Sequence, residues 1–278
     1  MSRFGDATAV TRLGGAGAPG RDDDGTPRRY AASLDPAFGF AEAINGGYLM
    51  AVLDRAAVDA SPHEHPLSTA TSFLRVAEPG PAEVHVEPRK TGRTVATSRV
   101  TLVQGGRPVV DALVTTGTLD RAAAADWTGE PPEPALPPID ACSGTEPAGD
   151  EAGFAGQVDM RFDPATMGWL DGNPSGRPEI RAWFRLRDPH EPDGFALALA
   201  VDALPPVVLS MGARGWAPTV ELTWHMRAVP APGWLAVHGG GRLVSGGWFD
   251  EGVEIWDSSG TLVAQSRQLA RLGRGGPA

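Results

Sequence analysis

The chain has 278 residues, 41% of them hydrophobic and 21% charged, which is ordinary globular usage and excludes a wholly disordered polypeptide. At roughly 100–200 residues per domain it holds one large domain or two small ones. The net charge is −10 and the densest basic cluster is Arg89, Lys90 and Arg93, so a nucleic-acid partner is not expected.

The N-terminal residues carry no basic start followed by an apolar run, so no secretory signal is expected. Residues 1–29, rich in Gly and Asp from residue 11, are expected to be a flexible lead-in. Gly15-Ala-Gly17-Ala-Pro-Gly20 matches G-x-G-x-x-G literally. No strand precedes it and Arg-Asp-Asp-Asp follows it, so it reads as a chance match and not a nucleotide-binding turn.

The first helix is expected over 47–60, with Leu49, Val52, Leu53, Ala56 and Ala57 on one face and Asp54, Arg55 and Asp59 elsewhere. Asn45-Gly46-Gly47 starts it and Ser61-Pro62 stops it. His63-Glu64-His65 lacks the i, i+4 spacing of a helical metal pair and reads as a solvated turn. Strands follow, with Val84 and Val86, then Ser98, Val100 and Leu102 alternating with Thr97, Arg99 and Thr101. Gln104-Gly-Gly-Arg107 is a hairpin signal, because tight two-residue loops need positive φ.

Residues 121–153 hold six prolines among Ala and acidic residues and cannot sustain a helix or a central strand. This stretch is expected to link two units, 30–120 and 154–273. Cys142, the single cysteine, excludes an internal disulfide or a thiolate zinc site, and a cytoplasmic protein is the expectation. Asp171-Gly-Asn173-Pro174 resembles a hydratase signature, but Gly176 stands where that signature needs histidine.

A second helix is expected over 194–204, apolar on nearly every side except Asp202 and ended by Pro205-Pro206. These residues interrupt the longest apolar stretch, so no membrane span is expected. Buried charge without compensation is costly, so Asp202 caps backbone donors, faces solvent or serves chemistry. Alternation places Thr219 and Thr223 on one face of their strand, and Gln265 and Gln268 on opposite faces of theirs.

The halves repeat each other. Thr71-Ser-Phe-Leu-Arg75 then Pro79-Gly80 is answered by Thr223-Trp-His-Met-Arg227 then Pro232-Gly233. Val100, Leu102 and Val110 correspond to Val253, Ile255 and Val263, and the Gly105-Gly106 turn to Asp257-Ser-Ser-Gly260. Each half therefore reads as one buried helix followed by an antiparallel meander, the pattern of a curved sheet wrapped around a helix.

The order of these pieces resembles the acyl-CoA thioesterase II family, the tandem (double) hotdog thioesterases, from about residue 30 to 272. The resemblance is carried by Asn45-Gly-Gly47, Ser72-Phe-Leu-Arg75, Gly92-Arg93 and Arg99-Val100 in the first half. In the second half it is carried by Asp202-x-Leu-Pro205, Thr219-Val-Glu-Leu-Thr223-Trp and Gly260-x-Leu-Val-Ala264 leading to Gln268. It implies an α+β double hotdog, an acyl-CoA or acyl-carrier thioester substrate, no metal or cofactor, and a homodimer or larger assembly. It also implies that Asp202, Thr219 and Gln268 bind and activate a water. Backbone N–H groups near Gly46 and Gly47, with Asn45, are substrate-binding candidates for a developing oxyanion, or the glycines serve close packing. Arg89, Lys90 and Arg93 are either a solvated strand end or a contact for CoA phosphates. A catalytically silent acyl-binding protein and a hotdog hydratase or dehydratase are the rival readings.

Overall fold

The computed structural model describes residues 2–14, 26–40, 43–123, 125–144 and 153–273. The first half contains α1 (Arg3–Ala7), β1 (Val10–Leu13), β2 (Arg28–Leu34), the short pair β3 (Gly39–Phe40) and β4 (Ala43–Ile44), and the helix α2 (Gly46–Asp59). It continues with β5 (His65–Phe73), β6 (Gly80–Thr91), β7 (Val95–Gln104) and β8 (Arg107–Gly117). The second half contains β9 (Ser143–Gly144), β10 (Val158–Phe162), β11 (Glu179–Leu186), α3 (Gly194–Ala200) and β12 (Thr219–Met226). It ends with β13 (Leu235–Gly240), β14 (Val244–Ser245), β15 (Trp248–Trp256) and β16 (Leu262–Arg271).

One antiparallel sheet runs through both halves in the order β1-β2-β6-β7-β8-β5-β12-β16-β15-β13-β11-β10-β9, with β14 beside β15. Read outward from the β5–β12 seam, β8, β7 and β6 on one side answer β16, β15 and β13 on the other. The duplication in the sequence is thus a two-fold repeat in space. At the seam Thr71 faces Leu222 and Thr69 faces Trp224. The helices α2 and α3 pack against each other inside the curve, and the result is the α+β double hotdog. Among the described residues no helix is long and apolar enough to cross a membrane.

Local chemistry explains the elements. Asn45 caps α2 by accepting the Tyr48 N–H on Oδ1 at 2.9 Å. Asp193 caps α3 by accepting the N–H groups of Phe195 and Ala196. Gly105 and Gly106 both take positive φ, 55° and 74°, in the β7–β8 turn.

Four expectations are corrected. The lead-in is ordered over 3–13: Phe4 is fully buried against Phe38 and His190, Tyr48 donates its hydroxyl to the Ala7 carbonyl at 2.6 Å, and β1 pairs with β2. One buried ring, too little for a sequence pattern, docks this segment onto the second half. The G-x-G-x-x-G match lies outside the described residues. The second helix ends at Ala200 and not at 204, because Asp202 and Ala203 N–H groups turn back to Leu199 and Ala200 in a tighter turn. Asp54, expected off the apolar face of its helix, is fully buried, accepting the Thr69 hydroxyl at 2.6 Å. His63 is buried too, its Nε2 3.0 Å from the Gly92 carbonyl, so the turn is not solvated there. Across 121–144 the described residues hold only a short 3-10 turn at Ile139–Ala141 and β9. This stretch lies on the second-half sheet, where Trp183 Nε1 donates to the Pro137 carbonyl at 2.8 Å.

Candidate active site

A cavity of about 740 Å³ lies between the halves. Its walls are mainly apolar: Ile44, Leu49 and Phe73 from the first half, and Phe154, Val158, Met160 and Phe162 from the second. Val76, Phe40 and Trp216 at its lining are exposed. Against these walls stand few polar side chains: Asn45, Arg75, Asp202, Thr219 and Gln268. None of the six histidines lines it. Among the described residues no cluster of His, Cys, Asp and Glu could hold a metal ion.

Asp202 sits two residues past α3, in the turn that carries the chain away from the helix. Its Oδ2 accepts the Gly47 N–H at 2.8 Å and the Asn45 side-chain amide at 3.3 Å, and its own carbonyl accepts that amide at 3.1 Å. The N-terminus of α2, with its partial positive charge, therefore grips this carboxylate. Burial still prevails and pushes the Asp202 carboxyl up to about 7, against the pull of the Gly47 and Gly46 N–H groups.

Thr219 donates its hydroxyl to Gln268 Oε1 at 2.6 Å. Simple alternation had placed Thr219 with Thr223. A bulge between Thr219 and Glu221 breaks the period, so Thr219 turns to Gln268 while Thr223 donates to Glu221 at 2.6 Å. Gln265 and Gln268 do point to opposite faces, Gln265 donating to Glu254.

The cavity thus brings together Asn45, Gly46, Asp202, Thr219 and Gln268. Gly47 lies behind it: its N–H is taken by Asp202, and an added Cβ would stand 2.7 Å from the Leu199 carbonyl oxygen. The start of α2 is therefore occupied by a carboxylate and is not open to an oxyanion. Gly47 packs closely on α3, whereas a Cβ on Gly46 would meet Asp202 Oδ2 and the Phe73 ring of β5. Arg89, Lys90 and Arg93 do not line the cavity, and Arg89 pairs with Glu87 at 2.9 Å. Among the described residues Arg75 is the cation that lines it.

One residue escaped sequence reasoning. Glu251 is 2% exposed on β15, directly across from Gln268 on β16. Its signal was present: Phe249, Glu251, Val253 and Ile255 alternate, so a carboxylate occupies a core-facing position.

Comparison with known proteins bears on the family and the fold. The acyl-CoA thioesterase N-terminal domain profile matches residues 34–117, and the C-terminal domain profile matches residues 131–272. An uncharacterized protein of Mycobacterium tuberculosis strain H37Rv is 33% identical over 286 residues, covering 90% of this chain and 94% of its own. A crystal structure of a candidate thioesterase II from Thermobifida fusca superposes with a TM-score of 0.87 at 43% identity, covering 99% of this chain and 98% of that one. A hot dog protein of unknown function from Alicyclobacillus acidocaldarius shares the fold, with a TM-score of 0.78 at 22% identity over 97% of both chains.

Proposed function

The chain belongs to the acyl-CoA thioesterase family, and on that premise we propose that it hydrolyses acyl-CoA thioesters with a water activated by Asp202, without a covalent acyl-enzyme. The observation that carries this reading is the Asp202 carboxylate itself. One oxygen is anchored by Gly47 and Asn45, and the group lines a mainly apolar cavity of about 740 Å³. Anchoring Oδ2 leaves Oδ1 to take a proton from water.

The chemistry asks little more. A thioester is already activated, and its leaving thiol has a pKa near 8.5, so no strong acid is needed. Asp202, at about 7, is poised as a base near neutral pH. Water oxygen adds to the carbonyl carbon while Asp202 takes its proton. The tetrahedral intermediate collapses with cleavage of the C–S bond, and the proton passes to the departing sulfur. With Oε1 committed to the Thr219 hydroxyl, the Gln268 amide is left with its N–H groups to meet the carbonyl oxygen as negative charge develops. The apolar walls hold the acyl chain and exclude competing water, and Arg75 offers a positive charge to the anionic carrier.

Incubating the purified protein with acyl-CoAs of several lengths, with a thiol reagent reporting release, tests this reading. Rapid thiol release is the expected result. Reversible loss of enoyl absorbance without thiol would instead indicate a hydratase, and no reaction with retained binding a silent acyl-binding protein.

A further inference from the structure

Among the described residues no cation acts on the Glu251 carboxyl. Its Oε2 accepts the Val207 N–H at 3.0 Å, and Gln268, directly across on β16, brings its side chain to the carboxyl and favours the ionised form. Among the described residues Asp202, from the turn after α3, is the charged group acting on it, and it repels. Strand β13 and the residue after it present only Gly239, Gly240 and Gly241 alongside. On its own strand Asp250 pairs with Arg267 on the outer face at 2.8 Å. An apolar side chain would fill this place at lower cost. What a carboxylate adds is two acceptors, one for Val207 and one for Gln268.

That second acceptor has a geometric consequence. A glutamine amide has one accepting end and one donating end. With Oε1 on the Thr219 hydroxyl, Nε2 is the end that meets Glu251, and its second N–H is left for the cavity. We propose that Glu251 is a positioning residue, which by accepting one Nε2–H of Gln268 fixes the amide with its other N–H toward the thioester carbonyl. The proposal rests on the hydrolase reading of the same cavity. Burial and the nearby Asp202 push the Glu251 carboxyl up to about 8. Below that pH one of its oxygens carries a hydrogen, and the amide turns to meet it with Oε1, giving up Thr219. Ionised, it accepts on both oxygens and the productive orientation is locked.

Glu251→Gln is the discriminating variant, because it keeps the shape but has one accepting end. Val207 claims that end, so an NH₂ group confronts Gln268 and flips its amide. The side-chain amide resonance of Gln268, assigned by its loss in Gln268→Leu, should titrate near pH 8 in the wild-type protein and stop titrating in Glu251→Gln. With acyl-CoA, Glu251→Gln should lower kcat about 10²-fold, the scale of a misplaced catalytic group, and leave KM nearly unchanged. The acid limb of its pH profile should fall from a slope of two to a slope of one. A Gln268 resonance that ignores pH from 6 to 10, or an unaltered kcat in Glu251→Gln, would overturn the proposal. Should that variant not fold, the wild-type titration alone decides. A wild-type protein that leaves every acyl-CoA intact while its Gln268 resonance titrates would overturn the hydrolase reading, with the coupling of Glu251 to Gln268 still standing.

Discussion

The backbone N–H of Gly47 donates to Oδ2 of Asp202 at 2.8 Å, across 155 residues of sequence. This bond ties the start of the first-half helix to the turn after the second. It makes the two halves joint owners of one carboxylate, and neither half alone could build the site. The two glycines at the helix start serve it differently. A Cβ on Gly46 would stand 2.7 Å from Asp202 Oδ2 and 2.9 Å from the Phe73 ring. A Cβ on Gly47 would meet backbone oxygens of Leu199 and Ala198 at 2.7 and 2.8 Å.

Gly46→Ala is therefore expected to fold, because side chains can yield, and to lose turnover as Asp202 is displaced. Gly47→Ala confronts rigid backbone and is expected to cost about 1–3 kcal/mol of stability, the range for overpacking. Thermal melts beside kcat for both variants check the contrast. Equal melting temperatures for the two would contradict it.

Stability should fall as pH rises from 6.5 to 8. Burial raises the carboxyls of Asp54 and Asp202 to about 7 and of Glu251 to about 8, above the usual carboxylate range. Groups raised on folding contribute stability that is complete below about pH 4 and is lost as pH climbs through their folded values. His65 and His238 are pushed down by burial, so they act in the opposite sense, but most of their change falls below pH 6.5 and only a small part lies in this window. The sum of the three carboxyls is on the order of 3 kcal/mol over the window. Urea melts at pH 6.5 and 8 measure it, and equal stability at both would refute the assignment.

The cavity wall should set acyl-chain preference. Met160 is nearly buried and lines the cavity. Met160→Trp fills part of the space and is expected to lower kcat/KM for long acyl-CoAs while short ones are spared. A uniform loss across chain lengths would show that the acyl chain lies elsewhere.

Much of this was legible in the sequence, for identifiable reasons. The duplication was, because Val100 and Leu102 repeat as Val253 and Ile255 and strand alternation survives divergence. Asp202 was, because a carboxylate among apolar residues stands out. The turn that carries it beyond Ala200 was not, since nothing in an apolar run marks where the helix tightens. The facing of Thr219 was not, because a bulge reverses alternation without a sequence signature of its own. Docking of α1 was hidden because it depends on Phe4 meeting His190 and Phe38, contacts made only in the folded chain.

Thr219→Val and Gln268→Leu should each reduce kcat less than loss of Asp202. Their effects should combine non-additively, because the two side chains share one hydrogen bond of 2.6 Å. A double-mutant cycle on acyl-CoA hydrolysis reads the coupling, and strict additivity would show that they act independently.

The most direct measurement is kcat for acyl-CoA hydrolysis by Asp202→Asn, taken with its melting temperature at pH 8. Asparagine can place its oxygen where Oδ2 accepts Gly47 and Asn45, so the fold should be kept. Removing a buried charge should leave the melting temperature unchanged or raised. If Asp202 takes the proton from water, kcat falls about 10²–10⁴-fold with little change in KM. An unchanged kcat with a lowered melting temperature would show that Asp202 only ties the two helices together.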